Sequence, residues 1–509
     1  NIIRPILNLS YRAEDIDVKD ITLYVDDSEK YHISFLVKKY FWDVFVKEND
    51  LDTFFDELKE EKTDFGGGLA KKIKGARPIK IPMQSIVFCD QTDILSNPIG
   101  IKHYYSQNEL KEMEASGWGD EANGATATID DVIMLSENYK VDDKQNGQQS
   151  HTTGKSIEIY EVHGTMPEHF LTARYEDNGY VTQIQICCFY QDTQGTKRGI
   201  TLFKKKEKKV PFKFIVRDGI HGRALGFGGV EELIESQVWT NYSMIRMKEM
   251  LDSASKTIFK TTDSAYVDRN KIKNMKNLEV TVLEEGKDIT QLDTTPRNMR
   301  LFENAVVEWE NHAQRIGSAT DPMLGESPSA GTPFKLQDLV TTQGKGIHEY
   351  RQGKYAKFIE EILTDWILPY ISQEITNGVK FLSELSQDEM QYVSDCLVRN
   401  MVNKHQVELV LNGELPLAPD EKLELEKNIR DEFYAGGQNK SIEILKDELK
   451  DAPLKIKVNI SGKQKNLALI TDKLTNIFRQ IFANPQVLDD PRAAKIFSKI
   501  IEYSGLDPI

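Results

Sequence analysis

From Gly228 to Lys256 the sequence reads as one uninterrupted helix whose apolar residues do not keep to one side. Val230, Leu233, Ile234, Val238, Tyr242, Ile245, Met247, Met250, Leu251 and Ala254 cover more than one face, so the helix needs neighbours on two sides. At the usual rise per residue it would be about 43 Å long. Glu231, Glu232 and Glu235 fall in its first turns, where carboxylates complement the helix dipole. Residues 257–295 then read as a short α/β insertion, with Leu278–Leu283 as the clearest strand and Glu285-Gly286-Lys287-Asp288 as a turn. Thr295 as cap and Pro296 at the first helical position open a second helix, which Gly317 ends. Its stripe of Phe302, Ala305, Val306, Trp309, Ala313 and Ile316 has helical spacing. Residues 317–332, rich in Gly, Ser, Pro and Thr, form a flexible loop. From Pro333 a very long helical segment runs to about Asn377, with Gly344, Gly346 and Gly353 grouped where a kink is tolerated and Gly378 placed to end it.

The first 227 residues mix α and β, which predicts an α+β fold for the whole. Residues 35–58 are helical in pattern, and Phe65-Gly66-Gly67-Gly68 reads as a hairpin turn feeding strands around 79–88. That glycine triplet lacks the GxxxxGK[ST] spacing of a phosphate loop. Residues 117–153 are loop-like, and 142–154 are almost devoid of apolar residues. Strands resume at 157–162 and 180–190, where Val181-Thr182-Gln183-Ile184-Gln185-Ile186 alternates. The run Lys204-Lys205-Lys206-Glu207-Lys208-Lys209 reads as a solvated hairpin tip. Residues 381–509 are mostly helical, with a strand at 454–460 and no repeat period.

At 509 residues, 39% hydrophobic and 28% charged, the chain has the composition of a soluble folded protein of several packed parts. Its patterning predicts a cytosolic protein with no membrane span. The four cysteines, Cys89, Cys187, Cys188 and Cys396, have no CxxC or zinc spacing and read as small packed hydrophobes in a reducing compartment. A net charge of −15 argues against a surface that grips nucleic acid broadly, and suits a conduit along which a duplex slides. No GxSxG, HExxH or Walker pattern is present, so neither catalytic residues nor a cofactor or metal is expected. Paired acids at Asp26-Asp27, Asp130-Asp131 and Asp142-Asp143 are the residues a metal-dependent nuclease would use, against the plainer reading of solvated loop acids. Gly222, Gly226, Gly228 and Gly229 lack the βαβ context of a dinucleotide site.

The order of elements resembles the core of the tailed-bacteriophage portal family, and so does the local text. Arg223-Ala224-Leu225-Gly226-Phe227-Gly228-Gly229-Val230-Glu231-Glu232-Leu233, with Gln237 and Asn241 following, looks like the G-x-G-x-x-E-x-L, Q, N approach to that family's first stem helix. Arg315-Ile316-Gly317-Ser318-Ala319-Thr320-Asp321-Pro322-Met323-Leu324-Gly325 resembles its passage from stem to tunnel loop. The closing stretch, with Lys465-Asn466 and Asn484-Pro485, is similar to portals of podovirus-type phages, the crAss-like group among them. The resemblance covers 65–509 and leaves the first 64 residues unplaced.

It implies a portal fold: an N-terminal wing (1–227), stem helices at 228–256 and 296–316, a clip (257–295), a tunnel loop (317–332), a long kinked wing helix (333–378), a C-terminal wing part (379–455) and a crown (456–509). The implied protein is a dodecameric ring at one capsid vertex of the virion, assembled in the host cytoplasm. Double-stranded DNA passes through it, terminase drives packaging, tail or head-completion adaptors attach to it, and major capsid and scaffold proteins surround it. By the same resemblance Lys335, Lys345, Ser318, Thr320 and Ser329 would lie toward the DNA channel, and Lys271, Lys273 and Lys276 in the partner-contacting clip, unless these are ordinary surface residues. Trp239, Tyr242, Met250, Phe302 and Trp309 would pack the ring. Two other classes remain open: a metal-dependent nuclease or terminase-like enzyme, and a head–tail adaptor that is not itself a conduit. The absent Walker motif opposes the motor, and an adaptor would lack the helix–insertion–helix followed by a long helix.

Overall fold

The computed structural model describes residues 1–18, 21–25, 31–89, 92–138, 156–172, 179–191, 196–256, 258–262, 285–292, 299–319, 321–324, 334–377, 386–413, 417–435 and 456–460, with a few single residues besides. Helices and sheets are both extensive, so the fold is α+β. In chain order the helices are α1 (Ile3–Ala13), α2 (Tyr31–Tyr40), α3 (Val46–Asn49), α4 (Leu51–Phe65), α5 (Gln107–Glu112), α6 (Ile129–Asn138), α7 (His169–Thr172), α8 (Gly229–Ala254), α9 (Met299–Ile316), α10 (Asp321–Leu324), α11 (Phe334–Ile362), α12 (Leu368–Asn377), α13 (Gln387–Leu411) and α14 (Pro419–Ala435). The strands are β1 (Ile21–Val25), β2 (Gly67–Lys72), β3 (Pro78–Ile81), β4 (Ile86–Phe88), β5 (Ile99–Tyr105), β6 (Ile157–Pro167), β7 (Tyr180–Gln191), β8 (Lys197–Lys206), β9 (Phe212–Val216), β10 (Phe259–Thr261), β11 (Ile289–Gln291) and β12 (Ile456–Ile460). The chain packs as two compact units, Asn1–Ser10 with Gly229–Ile347, and Tyr11–Gly228 with His348–Ile509.

In the larger unit β4-β5-β6-β7-β8 form an antiparallel meander, and β3-β2-β9 a second sheet. Alternation along the meander puts Ile157, Ile159, Ile186, Cys188, Ile200 and Leu202 on one face, where they bury Leu110 of α5 and Ile129 and Val132 of α6. Cys187 faces the other way and is half-buried, while Cys89 is exposed rather than packed. Helix α5 starts with a capping box: Ser106 takes the Glu109 N–H and Glu109 returns to the Ser106 N–H. Ser386 and Glu389 repeat the device at α13.

A helical core lies between α2, α3 and α4 on one side and the second half of α11, α12 and α13 on the other. Phe41, Phe45, Leu51, Phe55 and Leu58 meet Tyr355, Ile359, Ile362, Leu363, Ile367 and Ile371, all fully buried. The Tyr355 hydroxyl donates to the Phe55 carbonyl at 2.6 Å, so this polar tip is satisfied. Strand β1 pairs antiparallel with β12, Ile21 opposite Ile460 and Val25 opposite Ile456.

Three expectations are revised. Gly344, Gly346 and Gly353 do not kink the long helix, which runs as unbroken α-helix through all three; the irregularity is a π-turn at Leu363–Ile367, in the packed core. A matching π-turn at Phe41–Phe45 follows α2. The glycine triplet is not a hairpin turn: Gly66 ends α4 in the left-handed conformation (φ 79°), and Gly67 and Gly68 already belong to β2. The lysine run is not a tip throughout, because Lys204, Lys205 and Lys206 pair with Gln185, Ile184 and Gln183 of β7. The strand at 278–283, the 142–154 loop and the Thr295-Pro296 and Thr332-Pro333 starts lie outside the described residues.

The glycines that resembled a phosphate cradle are there because backbones touch. A Cβ on Gly66 would lie 2.3 Å from the Gly226 carbonyl oxygen, and one on Gly228 2.2 Å from that of Asp64. The Gly66 carbonyl takes N–H groups from both Arg217 and Gly226. No side chain fits in that seam.

Candidate subunit interface

In the smaller unit α8 packs against α9. The pair β10–β11 holds the C-terminal end of α8 near the N-terminal end of α9, Phe259 opposite Gln291, so the two helices run antiparallel. The buried positions of α8 are Gly229, Leu233, Ser236, Thr240 and Ser243, spaced three or four apart along one face. Most are small and polar. Thr240 satisfies its hydroxyl by donating to the Ser236 carbonyl at 2.8 Å. On α9 the buried residue is Ala313, and Phe302, Val306 and Trp309 are half-buried. Helix α1 completes the unit: the Ile2 N–H donates to the Gln237 side chain at 2.8 Å, whose amide reaches Asn241 at 2.7 Å. Ile6 lies against Gly317, where a Cβ would meet its Cγ2 at 2.2 Å.

Leu233 apart, the buried face of α8 carries no large apolar side chain, and several such residues are exposed elsewhere on the helix. Val230, Ile234, Val238 and Ile245 are exposed along one flank, the last three by more than half. Trp239 and Tyr242, 45% and 46% exposed, continue the same outer surface, Tyr242 standing four residues from Val238 and three from Ile245. Trp239 stacks on Trp309, centroids 6.1 Å apart and planes 8° from parallel, and meets Tyr242 edge-on at 6.0 Å. Arg246 lies over the Tyr242 ring at 5.1 Å and binds Glu249 at 2.8 Å. Apart from the stacking around Trp239, these outer side chains are not buried within the unit, and an exposed apolar patch of this kind marks an interaction surface.

Of the residues singled out in the sequence, Trp239, Tyr242 and Trp309 come together in this aromatic cluster, whereas Met250 and Phe302 are half-buried and separate from it. Ser318 is half-buried with a left-handed backbone (φ 53°), and Lys345 is half-buried on α11. Lys335 lies on α11, but its side chain is outside the described residues, as are Thr320, Ser329, Lys271, Lys273 and Lys276 altogether. The role of Gln237 and Asn241 in fixing α1 was not legible, because α1 is remote in sequence and carries no motif.

Charged residues inside the larger unit form two networks. Glu161 of β6 accepts from Lys71 of β2, from His103 of β5 at 2.9 Å and from His163 at 2.9 Å, and the other nitrogen of His163 binds Glu207 at 2.9 Å. Burial works against both charges, but the imidazole and ammonium partners hold Glu161 well below the carboxylate range, and the two carboxylates raise His163. Glu14, fully buried, binds Lys62 at 2.6 Å, with His348 at 3.6 Å and Arg351 at 3.9 Å. Burial alone would raise its carboxyl; His348 and Lys62 bring it down to about 2. These groups neutralise one another, and no set of three metal-ligating side chains stands together among the described residues. Of the acid pairs, Asp131 caps α6 through Thr128 and Asp130 pairs with Lys111; Asp26-Asp27 and Asp142-Asp143 lie outside the described residues. No helix among the described residues is long and apolar enough to cross a membrane.

No protein-family model matches the chain, and no curated protein does. Among solved structures it is similar to a chain in the neck of an empty gene transfer agent particle computed with C6 symmetry (9% identity, TM-score 0.36, covering 82% of this chain and 91% of that one). It is also similar to chains in the virion of the native gene transfer agent particle (10%, TM-score 0.29) and in the neck of the native particle computed with C12 symmetry (10%, TM-score 0.31), each again covering 82% of this chain and 91% of that chain. With identities this low and TM-scores below 0.5, the functional reading rests on the residues of this chain.

Proposed function

We propose that this chain is one subunit of the portal ring of a tailed-bacteriophage capsid: a dodecameric conduit at one vertex through which terminase packages double-stranded DNA, through which that DNA is ejected, and to which the tail adaptor attaches. The observation that carries the reading is α8, whose exposed apolar residues spread in one broad arc from Val230 round to Trp239, with a buried seam of mostly small residues on the other side. A closed ring supplies a neighbour on each side of every subunit, which is what such a helix needs. The sequence order of long helix, small β-containing insertion and returning helix also supports it, as does the excess of acid, which keeps a sliding duplex from sticking to the wall.

Electron microscopy of the purified protein tests this. Rings of about twelve copies with a central hole are the expected result. A compact monomer at every salt and protein concentration tried would overturn it, and would make a metal-dependent nuclease assay the next step.

A further inference from the structure

The five-stranded meander buries one face against α5 and α6 and turns the other outward. On the outer face Tyr104 of β5 stands opposite Glu158 of β6, and Tyr160 of β6 stands between Lys102 of β5 and Cys187 of β7. Phe189, two residues along β7 from Cys187, shares that face. Tyr104 is 59% exposed and Phe189 58%, and Tyr160 meets the Phe189 ring edge-on at 5.3 Å. Opposite Phe189 is Gly199 of β8, where a Cβ would stand 3.4 Å from the ring, so the ring leans over bare backbone with its other side in solvent. Three rings from three adjacent strands make a patch rather than a scatter.

The same face is basic toward its β8 edge. Lys204 pairs with Gln185 and Lys206 with Gln183, and a 3.1 Å hydrogen bond from Gln185 to Gln183 keeps both glutamines on the side of β7 that carries Cys187 and Phe189. Lys204 donates to the Phe170 carbonyl at 3.4 Å, and neither lysine has a carboxylate partner among the described residues. Lys71, Lys80, Lys102 and Lys213 of the same unit each have one. The acid among the described residues of this face, Glu158, is already bound by Lys102 at 2.9 Å and by the Tyr160 hydroxyl. In a chain of net charge −15, two ammonium groups without acids beside three rings call for a partner that is both anionic and aromatic.

We infer that the outer face of this meander binds single-stranded nucleic acid, its bases stacking on Tyr104 and Phe189 and its phosphates lying along Lys204 and Lys206. Two strand spacings, about 10 Å, separate Tyr104 from Phe189, and four residues of β7, about 14 Å, separate Phe189 from the level of Lys204. A flexible single strand spans both distances, and its free bases can use the rings; a duplex keeps its bases stacked inside and leaves the rings unused. An acidic peptide would answer the lysines but not the rings, and an apolar protein surface the rings but not the lysines. The face belongs to the larger unit, and its use of nucleic acid does not depend on ring formation through α8.

Fluorescence anisotropy of a labelled oligothymidylate titrated with the full-length protein tests this, and binding that weakens with salt is expected. Tyr104→Ala and Phe189→Ala together should weaken it by about tenfold or more and leave its salt dependence unchanged. Lys204→Gln with Lys206→Gln should instead lower the slope of log affinity against log salt by about 1.4, two phosphates at about 0.7 each for a single strand. All four side chains are exposed or half-buried, so the thermal midpoint of each variant should stay at that of the unsubstituted chain. Ultraviolet cross-linking of the oligonucleotide to the unsubstituted protein, followed by mapping of the linked peptides, is free of any folding effect and should place links on β5 and β7. No binding at low salt, equal binding by all variants, or links that fall elsewhere would overturn the inference. So would an affinity for duplex DNA that responds as strongly to the same four substitutions, since the face would then take duplex. Polyglutamate displacing the label as well as unlabelled oligonucleotide does at equal charge would overturn it in favour of an acidic protein partner.

Discussion

The indole of Trp239 on α8 lies flat against that of Trp309 on α9, and the two have different surroundings: Trp239 is nearly half exposed, Trp309 mostly covered. Loss of the more covered ring removes packing from within the chain; loss of the outer ring removes one stacking partner and, beyond that, surface that a partner would bury. Trp309→Ala should therefore lower the thermal midpoint of the unassembled chain, by an amount corresponding to about 2 kcal/mol in the smaller unit. Trp239→Ala should change that midpoint by less than half as much, yet weaken assembly in sedimentation by roughly tenfold or more per contact. Equal effects of the two substitutions on both measurements would show that the outer ring is not an interface residue.

Gly317 is fixed by Ile6, whose Cγ2 would stand 2.2 Å from any Cβ placed there. Gly317→Ala should cost about 1–3 kcal/mol, because α1 must move away from the end of α9. In the Ile6→Ala background the same substitution should cost less than half of that, since its clash partner is gone. Chemical unfolding of the four variants of this cycle measures the coupling, and strict additivity would show that Ile6 is not what excludes a side chain at 317.

Stability should vary with pH through the His163 relay. The raised His163 value means that its contribution is complete below the ordinary imidazole value of 6.5 and is lost as pH rises through the folded value. The lowered Glu161 value acts in the opposite sense: its contribution is complete above the ordinary 4.5 and is lost as pH falls toward the folded value. The unfolding free energy from denaturant titrations should thus be highest between these two ordinary values and decline on the alkaline side with a slope of at most about 1.4 kcal/mol per pH unit from His163. His163→Gln should flatten the alkaline decline and make the acid one shallower, because His163 is one of the partners that lower Glu161, while His103 and Lys71 keep part of it. A decline of unchanged slope in that variant would assign it to another group.

What could be read in the sequence was whatever repeats locally. The spacing of Val230 to Ala254, of Phe302 to Ile316 and of the residues around Tyr355 fixes helices through contacts three and four residues apart, and α8, α9 and α11 appear where that spacing puts them. The alternation at Val181–Ile186 likewise marks β7. Hidden were relations between residues remote in the chain. Nothing near Ile21–Val25 says that its partner is Ile456–Ile460, and nothing near Gly66 says that the backbone of Gly226 will press against it. Periodicity also overstated the helix around Val230: it marks two faces as apolar without saying that the face turned inward is instead Ser236, Thr240 and Ser243. The π-turns at Phe41–Phe45 and Leu363–Ile367 were not legible either: both lie in the packed core and neither contains a glycine or proline to mark it.

Glu14 and Lys62 are both fully buried and bonded to each other, but they are not equivalent, because their other neighbours differ. Besides Lys62, the Glu14 carboxylate has His348 and Arg351 within 4 Å; Lys62, by contrast, has Glu14 as its ion partner and the face of Tyr355 at 5.0 Å. Arg351 has a second carboxylate, Asp218, bound at 2.5 Å, and Arg217 is buried close by. Lys62→Met would leave the buried carboxylate next to Arg351, so its charge stays compensated, and the loss should be about 1–2 kcal/mol. Glu14→Gln would strand the buried Lys62 ammonium, whose ion partner is Glu14, and should cost about 3–5 kcal/mol. Adding Lys62→Met to Glu14→Gln should recover a large part of that loss, since the stranded ammonium goes with it. Denaturant unfolding of the three variants gives the order directly. A Lys62→Met chain less stable than Glu14→Gln would mean that His348 and Arg351 do not compensate Glu14, and that the pair stands alone.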